Sequence, residues 1–231
     1  MGSITRSLSN NITTGGVILP AGITNSSVSA VTSFANASGG TLILLSTQTA
    51  SASATISFTT GLDSTYDEYV FKFINIHPAT NDVGFHFQGS TNGGSSYGVT
   101  MTTTAFKASH NEAGTSTFLG YTTSNDLAQS TSYQEIGQSG NDADQNISST
   151  LTLFNPSSTT YVKHFIINTN YCDHGDETVN GFYAGYFNTT SAVNAVQFKM
   201  SSGNIDDGVI KLYGVKKSWC RLINIFAMLM V

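Results

Sequence analysis

The chain has 231 residues, of which 39% are hydrophobic and only 10% charged, with a formal net charge of -5. That length supports one large sandwich or one core with a smaller appendage, and the acidic balance excludes a protein that grips nucleic acid through its phosphates. Charge lies well below the roughly 25% of an ordinary soluble domain, so Ser, Thr, Asn, Gln and Gly must wet the surface, as in many extracellular and virion β-proteins.

The sequence opens with no basic-then-apolar leader. Its start brushes the myristoylation pattern, but Arg6 stands where Ser or Thr is needed. No apolar run reaches the roughly 18 residues that span a bilayer. The expectation is a soluble protein, not exported by the usual route and not held in a membrane. Residues 1–40 are rich in Ser, Thr, Asn, Gly and Ala, with scattered aliphatic side chains and no charge beyond Arg6. A disordered leader and an extended arm that orders on a partner both fit. The regular aliphatic residues favour the arm, and Ile12, Val17, Ile18, Leu19 and Ile23 are its candidate anchors. Gly39-Gly40 forms a joint.

From Thr41 onward the pattern is strand after strand. Leu42 to Leu45 is a short apolar run, and residues 54–58 alternate. In residues 69–76, Tyr69, Phe71 and Phe73 point one way and Val70, Ile74 and Ile76 the other, which predicts a strand covered at least partly on both faces. After the turn at residues 77–82, Val83, Phe85 and Phe87 form a dry face, while Gly84, His86 and Gln88 face water. These two strands are expected to be the antiparallel heart of the domain. Weaker strands follow at 97–106, around Phe118 and Tyr121, and around Tyr133 and Ile136, with a loop at 137–147. Further strands are expected at 150–154, 161–168, 182–187 and 195–200, where Val196, Phe198 and Met200 are dry, and at 209–213. About ten strands and no amphipathic helix predict an all-β antiparallel sandwich of jelly-roll type over residues 41–217. The tail at 218–231 is apolar and free of Ser and Thr beyond its first residue; packing on the domain, packing on a neighbouring copy and lying past the end of the fold all remain open for it.

The chemistry-bearing residues are weak as a set. Cys172, Asp173, His174, Asp176 and Glu177 form the densest polar cluster, and a solvated turn explains it better than a metal. Asp142 and Asp144 do not complete a calcium loop. The two cysteines, Cys172 and Cys220, have no zinc spacing. Five histidines are scattered without a nucleophile motif, and Asp67 with Glu68 is a faint glycosidase signal. No enzyme and no cofactor are expected. Tyrosines exceed what a core needs. Tyr97, Tyr121, Tyr133 and Tyr171 are expected on exposed loops that contact sugar or protein.

Residues 47–59 (TQTASASATISFT), 62–69 (LDSTYDEY), 156–164 (PSSTTYVKH), 184–192 (AGYFNTTSA) and 197–204 (QFKMSSGN) together resemble a family of virion structural proteins of tailed bacteriophages, chiefly marine and cyanobacterial ones. The likeness spans roughly residues 40–217. Family members generally end near Tyr213 to Lys217, so the tail from Trp219 is a departure. The resemblance implies a place on the outer surface of a phage particle, after synthesis in the host cytoplasm, and supplies no catalytic residues. The expected protein is a capsid decoration protein or short head fibre, anchored by residues 1–40 to the major capsid protein or another virion protein, and a homotrimer by the habit of such proteins. The alternative is a tail-fibre or receptor-binding protein that meets host surface glycan.

Overall fold

The structure, a computed structural model, describes residues 12–13, 16–17 and 41–217. The chain divides into two units, Met1–Gly39 and Gly40–Val231. In the first unit, β1 (Ile12–Thr13) and β2 (Gly16–Val17) pair antiparallel, with Ile12 opposite Val17. The other anchor candidates, Ile18, Leu19 and Ile23, lie outside the described residues, as do the 218–231 tail and Cys220.

The second unit is all-β. Its strands are β3 (Leu42–Thr49), β4 (Ile56–Phe58), β5 (Glu68–Pro78), β6 (Val83–Ser90), β7 (Met101–Asn111), β8 (Thr117–Tyr121), β9 (Gln134–Ser139), β10 (Ile147–Phe154), β11 (Lys163–Cys172), β12 (Glu177–Phe187), β13 (Ala195–Met200) and β14 (Ile205–Val215). They build an eight-stranded sheet, β3-β14-β5-β10-β11-β12-β7-β8, facing a four-stranded sheet, β4-β13-β6-β9. The quartets β3-β14-β5-β10 and β4-β13-β6-β9 have the strand order of a jelly roll, a double Greek key folded into two sheets. Two inserted hairpins, β7–β8 and β11–β12, widen the large sheet beyond β10.

Consecutive strands β5 and β6 therefore belong to different sheets. The expected pairing between them is corrected: the turn at 79–82 carries the chain across the sandwich, and Phe73 meets Phe85 through the core with ring centroids 5.4 Å apart. A second correction concerns Ile76. Asn75 adopts a left-handed conformation (φ 51°), and the pairing of β5 with β14 slips on either side of Asp207. The bulge turns Ile76 onto the same face as Phe73, where it is fully buried. Gly208 sits opposite this bulge with φ 126°, and a Cβ there would lie 2.8 Å from Asn75 O and Ile76 Cα, so only glycine fits.

The core centres on Phe198 of β13. Its ring lies 5.0 Å from Phe73, 5.3 Å from Phe71, 5.9 Å from Phe85 and 6.1 Å from Phe58. Phe85 and Phe198 alternate with Gly or polar residues along their strands, whereas Phe71 and Phe73 share β5 with Val70 and Ile74 on its other face. The period of the pleat directs the aromatic set inward. Strand β11 follows this rule throughout. Lys163, Phe165, Ile167, Thr169 and Tyr171 are buried, while His164, Ile166, Asn168 and Asn170 face outward. Lys163 is the exception in kind: its Nζ donates to Tyr161 O (2.9 Å) and Thr189 O (3.0 Å), and burial lowers its pKa.

Candidate functional site

The long strands of the β-domain run between two ends of the sandwich. At one end, Lys216 N donates to Thr41 O (2.8 Å) and Lys217 Nζ lies 2.8 Å from Asp67 Oδ1. The domain's first and last residues thus emerge side by side. The opposite end is formed by the loops at 79–82, 112–116, 140–146, 173–176 and 201–204 together with the starts of β12 and β14. Asp82, Glu112, Asp142, Asp144, Asp173, Asp176, Glu177, Asp206 and Asp207 collect there, and those loops contain no Lys or Arg. Among the described residues, two histidines approach these carboxylates: His174 Nδ1 is 3.0 Å from Asp82 Oδ1, and His77 Nδ1 is 3.8 Å from Asp206 Oδ2.

The Cys172 cluster occupies the β11–β12 turn. Asp173 Oδ1 accepts from Gly175 N (2.9 Å) and Glu177 N (3.1 Å), so this carboxylate shapes the turn. Burial, and then the carboxylates of Asp176 and Asp173, push the Cys172 thiol up, which opposes the thiolate a nucleophile needs. Among the described residues, no three His, Cys, Asp or Glu side chains converge on a common point suited to a metal ion.

The four tyrosines expected on exposed loops have different fates. Tyr171 is 4% exposed and belongs to β11, so its place on a loop is corrected. The period of two that begins at Lys163 runs on to Tyr171 and points it inward. There, burial first and then the neighbouring phenol of Tyr183 push its pKa well up. Tyr121 is exposed, but it lies in edge strand β8, again not a loop, and its hydroxyl donates to Asp126 Oδ2 (2.5 Å). Tyr133 is half-buried over the outer side of the small sheet. Its hydroxyl donates to Gln197 Oε1 (2.6 Å) and its ring receives Lys199 Nζ at 4.5 Å from the centroid. Tyr97 lines a polar hollow of about 340 Å³ with Thr91, Ser96, Thr100, Asn188 and Thr189.

A more extensive surface is the outer face of the eight-stranded sheet. Cross-strand register places Leu44, Tyr213, Val70, Thr152, Ile166, Ala184 and Thr104 in one row across it. Leu44 is 53% and Ile166 54% exposed. In the neighbouring row Phe182 and Phe106 stack at 4.9 Å. A depression of about 520 Å³, lined by Thr102, Phe154, His164, Ile166, Ala184 and Tyr186, opens on this face. Its signal lay in β11 and β12, where Ile166, Phe182 and Tyr186 occupy positions out of phase with the core. Exposed apolar area of this kind marks a contact surface.

The loop at 122–133 that closes the β8–β9 connection is held by buried amides. Gln134 Oε1 accepts from Thr103 Oγ1 (2.6 Å), and its Nε2 donates to Asn125 O (2.9 Å). Gln88 Nε2 donates to Thr131 O and Ser132 O (both 3.0 Å). Replacing Gln134 by Ala strands the Thr103 hydroxyl and the Asn125 carbonyl. We expect a loss of about 1–3 kcal/mol in urea unfolding and faster amide exchange confined to residues 122–133.

Compared with family models, with curated proteins and with solved structures, the chain matches none.

Proposed function

We propose that this protein is a non-enzymatic structural protein on the outer surface of a phage virion, a capsid decoration protein or short head fibre held by residues 1–40. The observation that carries the reading is the polarity of the β-domain. Its chain ends leave together beside the Asp67–Lys217 pair, and its acidic loops gather at the other end. A domain of that build, tethered through the residues before Thr41, presents an acidic, hydrogen-bonding surface outward, and like charge on neighbouring copies keeps particles apart in solution. The resemblance over residues 40–217 points the same way, and fold alone would not. The partner of the arm in this reading is the major capsid protein or another virion protein, and the assembly is a homotrimer. A glycan-contacting tail fibre would use exposed loop tyrosines; of the four, Tyr97 lines a polar loop hollow, while Tyr171 borders another hollow but is buried in β11 and Tyr121 lies in β8.

Deleting residues 1–40 tests the anchor. Capsids stripped of this protein are titrated with the full chain and with the truncated one. The expected result is a drop in capsid binding of about a hundredfold or more, with the thermal midpoint of the β-domain unchanged. Equal decoration by the truncated chain would remove the anchor from the account.

A further inference from the structure

We propose that the outward side of strands β10, β11, β12 and β7 is the surface through which three copies of this chain meet, around an axis that runs along the strands. The assignment rests on the trimeric virion reading above and identifies its subunit contact.

The polarity of the domain gives the direction of the axis. The chain ends leave beside Asp67 and Lys217, and the acidic loops gather at the other end. Copies that stand on one shell keep both ends level only if their symmetry axis runs from one end to the other. Contacts are then lateral, on the sides of the sandwich.

Charge selects among those sides. The outward positions of the four strands are alternate residues from Ser148 to Phe154, His164 to Asn170, Thr178 to Tyr186 and Thr102 to His110, and they hold no Asp, Glu, Lys or Arg. Elsewhere on the same sheet Lys72 stands opposite Lys211. On the small sheet, Lys199 pairs with His86, and both are partly exposed. Two copies of a chain with net charge -5 oppose like charges wherever charged surfaces meet. The four-strand field is the side on which they meet without that cost. Depletion of charge beside aromatic side chains is also the composition of a subunit contact.

Shape and size agree. Ala184 stands between Ile166 and Thr104 in one cross-strand row, and its short side chain leaves room for the depression of about 520 Å³. One pleat further along, Phe106 and Phe182 stack at 4.9 Å. A hollow beside a ridge lets facing copies interdigitate. No other described residue covers either feature, and Ile166 is 54% and Phe106 45% exposed. Four strands of up to eleven residues give roughly 600 Å² in projection at the ordinary strand spacing and rise. Side-chain relief adds to that figure, which brings it to the order of the roughly 800 Å² that each partner gives to a stable contact.

Sedimentation of the full chain across a hundredfold dilution from high micromolar concentration tests this, with wild type compared with Ile166→Glu, Phe106→Glu and Leu44→Glu. Ile166, Phe106 and Leu44 are each about half exposed, so the core is spared, and far-ultraviolet circular dichroism checks the fold of each variant. Leu44 belongs to the same sheet but lies in β3, outside the field. The expected result is a trimer for wild type and for Leu44→Glu. Ile166→Glu and Phe106→Glu should each raise the dissociation constant about a hundredfold or more, because each buries an unpaired carboxylate in the contact. A trimer that survives both field substitutions, or one broken only by Leu44→Glu, would overturn the assigned surface and leave the trimeric reading standing. A wild type that sediments as a monomer or a dimer would overturn both, and a monomer would assign the face to the rest of the chain or to a different protein.

Discussion

Phe198→Ala is expected to destabilise the β-domain by about 3–5 kcal/mol, the cost of removing a large aromatic side chain from a close-packed core. Phe198 is fully buried and is the one ring that touches Phe58, Phe71, Phe73, Phe85 and Phe87 together. Those partners come from strands on both sheets, so no single one of them can move in to fill the vacated space without leaving its own strand. For a domain of this size the loss corresponds to a fall of about 6–20 °C in the thermal midpoint. Leu119→Ala serves as the contrast. Leu119 is 78% exposed on edge strand β8, and its replacement should change stability by no more than about 0.5 kcal/mol. Comparable losses from both substitutions would contradict the placement of the core.

The second large effect is alkaline. Burial raises the phenol pKa values of Tyr171 and Tyr183, in each case as the leading cause, while in an unfolded chain both ionise near the ordinary value of 10. The folded state therefore holds more protons above that pH. The stabilisation is fully present below pH 10 and is lost as the pH climbs toward the raised folded values. Well above pH 10 each phenol removes about 1.4 kcal/mol per pH unit, so the pair removes about 2.7 kcal/mol per unit. Lys163 acts in the opposite sense just below its ordinary 10.5, because burial lowers its folded pKa and the unfolded chain then holds the extra proton. Urea unfolding as a function of pH should thus show a steep decline only beyond pH 10. Replacing both tyrosines by Phe should leave a much shallower slope, whatever it does to stability at neutral pH. An unchanged slope in the double variant would place the alkaline sensitivity elsewhere.

Fold class was legible because the period of two is strong in the inner strands. Val196, Phe198 and Met200 are dry in sequence and buried in structure, as are Tyr69, Phe71 and Phe73. Strand order was not legible. It depends on pairs such as β3 with β14 and β4 with β13, whose partners lie at opposite ends of the domain in sequence and leave no local mark. Ile76 misled because a bulge interrupts the period at Asn75, a residue that tolerates the left-handed conformation. Tyr171 misled because it stands next to the polar Cys172 to Glu177 turn, and composition there outweighed an alternation that runs unbroken from Lys163. The outer face escaped notice for a related reason. Ile166, Phe182 and Phe106 carry no local mark of which face the four-stranded sheet covers, and it covers the other one. The two ends of the domain were hidden in the same way. Acidic residues separated by more than a hundred positions, Asp82 and Asp206 among them, meet only once the jelly roll brings their loops together.

The virion assignment is tested most directly by a cryo-EM map of particles assembled with this chain, traced from Met1. The account predicts density for residues 1–40 running between capsid proteins, with the acidic loop end of the β-domain pointing away from the shell. Density for this chain at the tail tip, or a particle without it, would contradict the account.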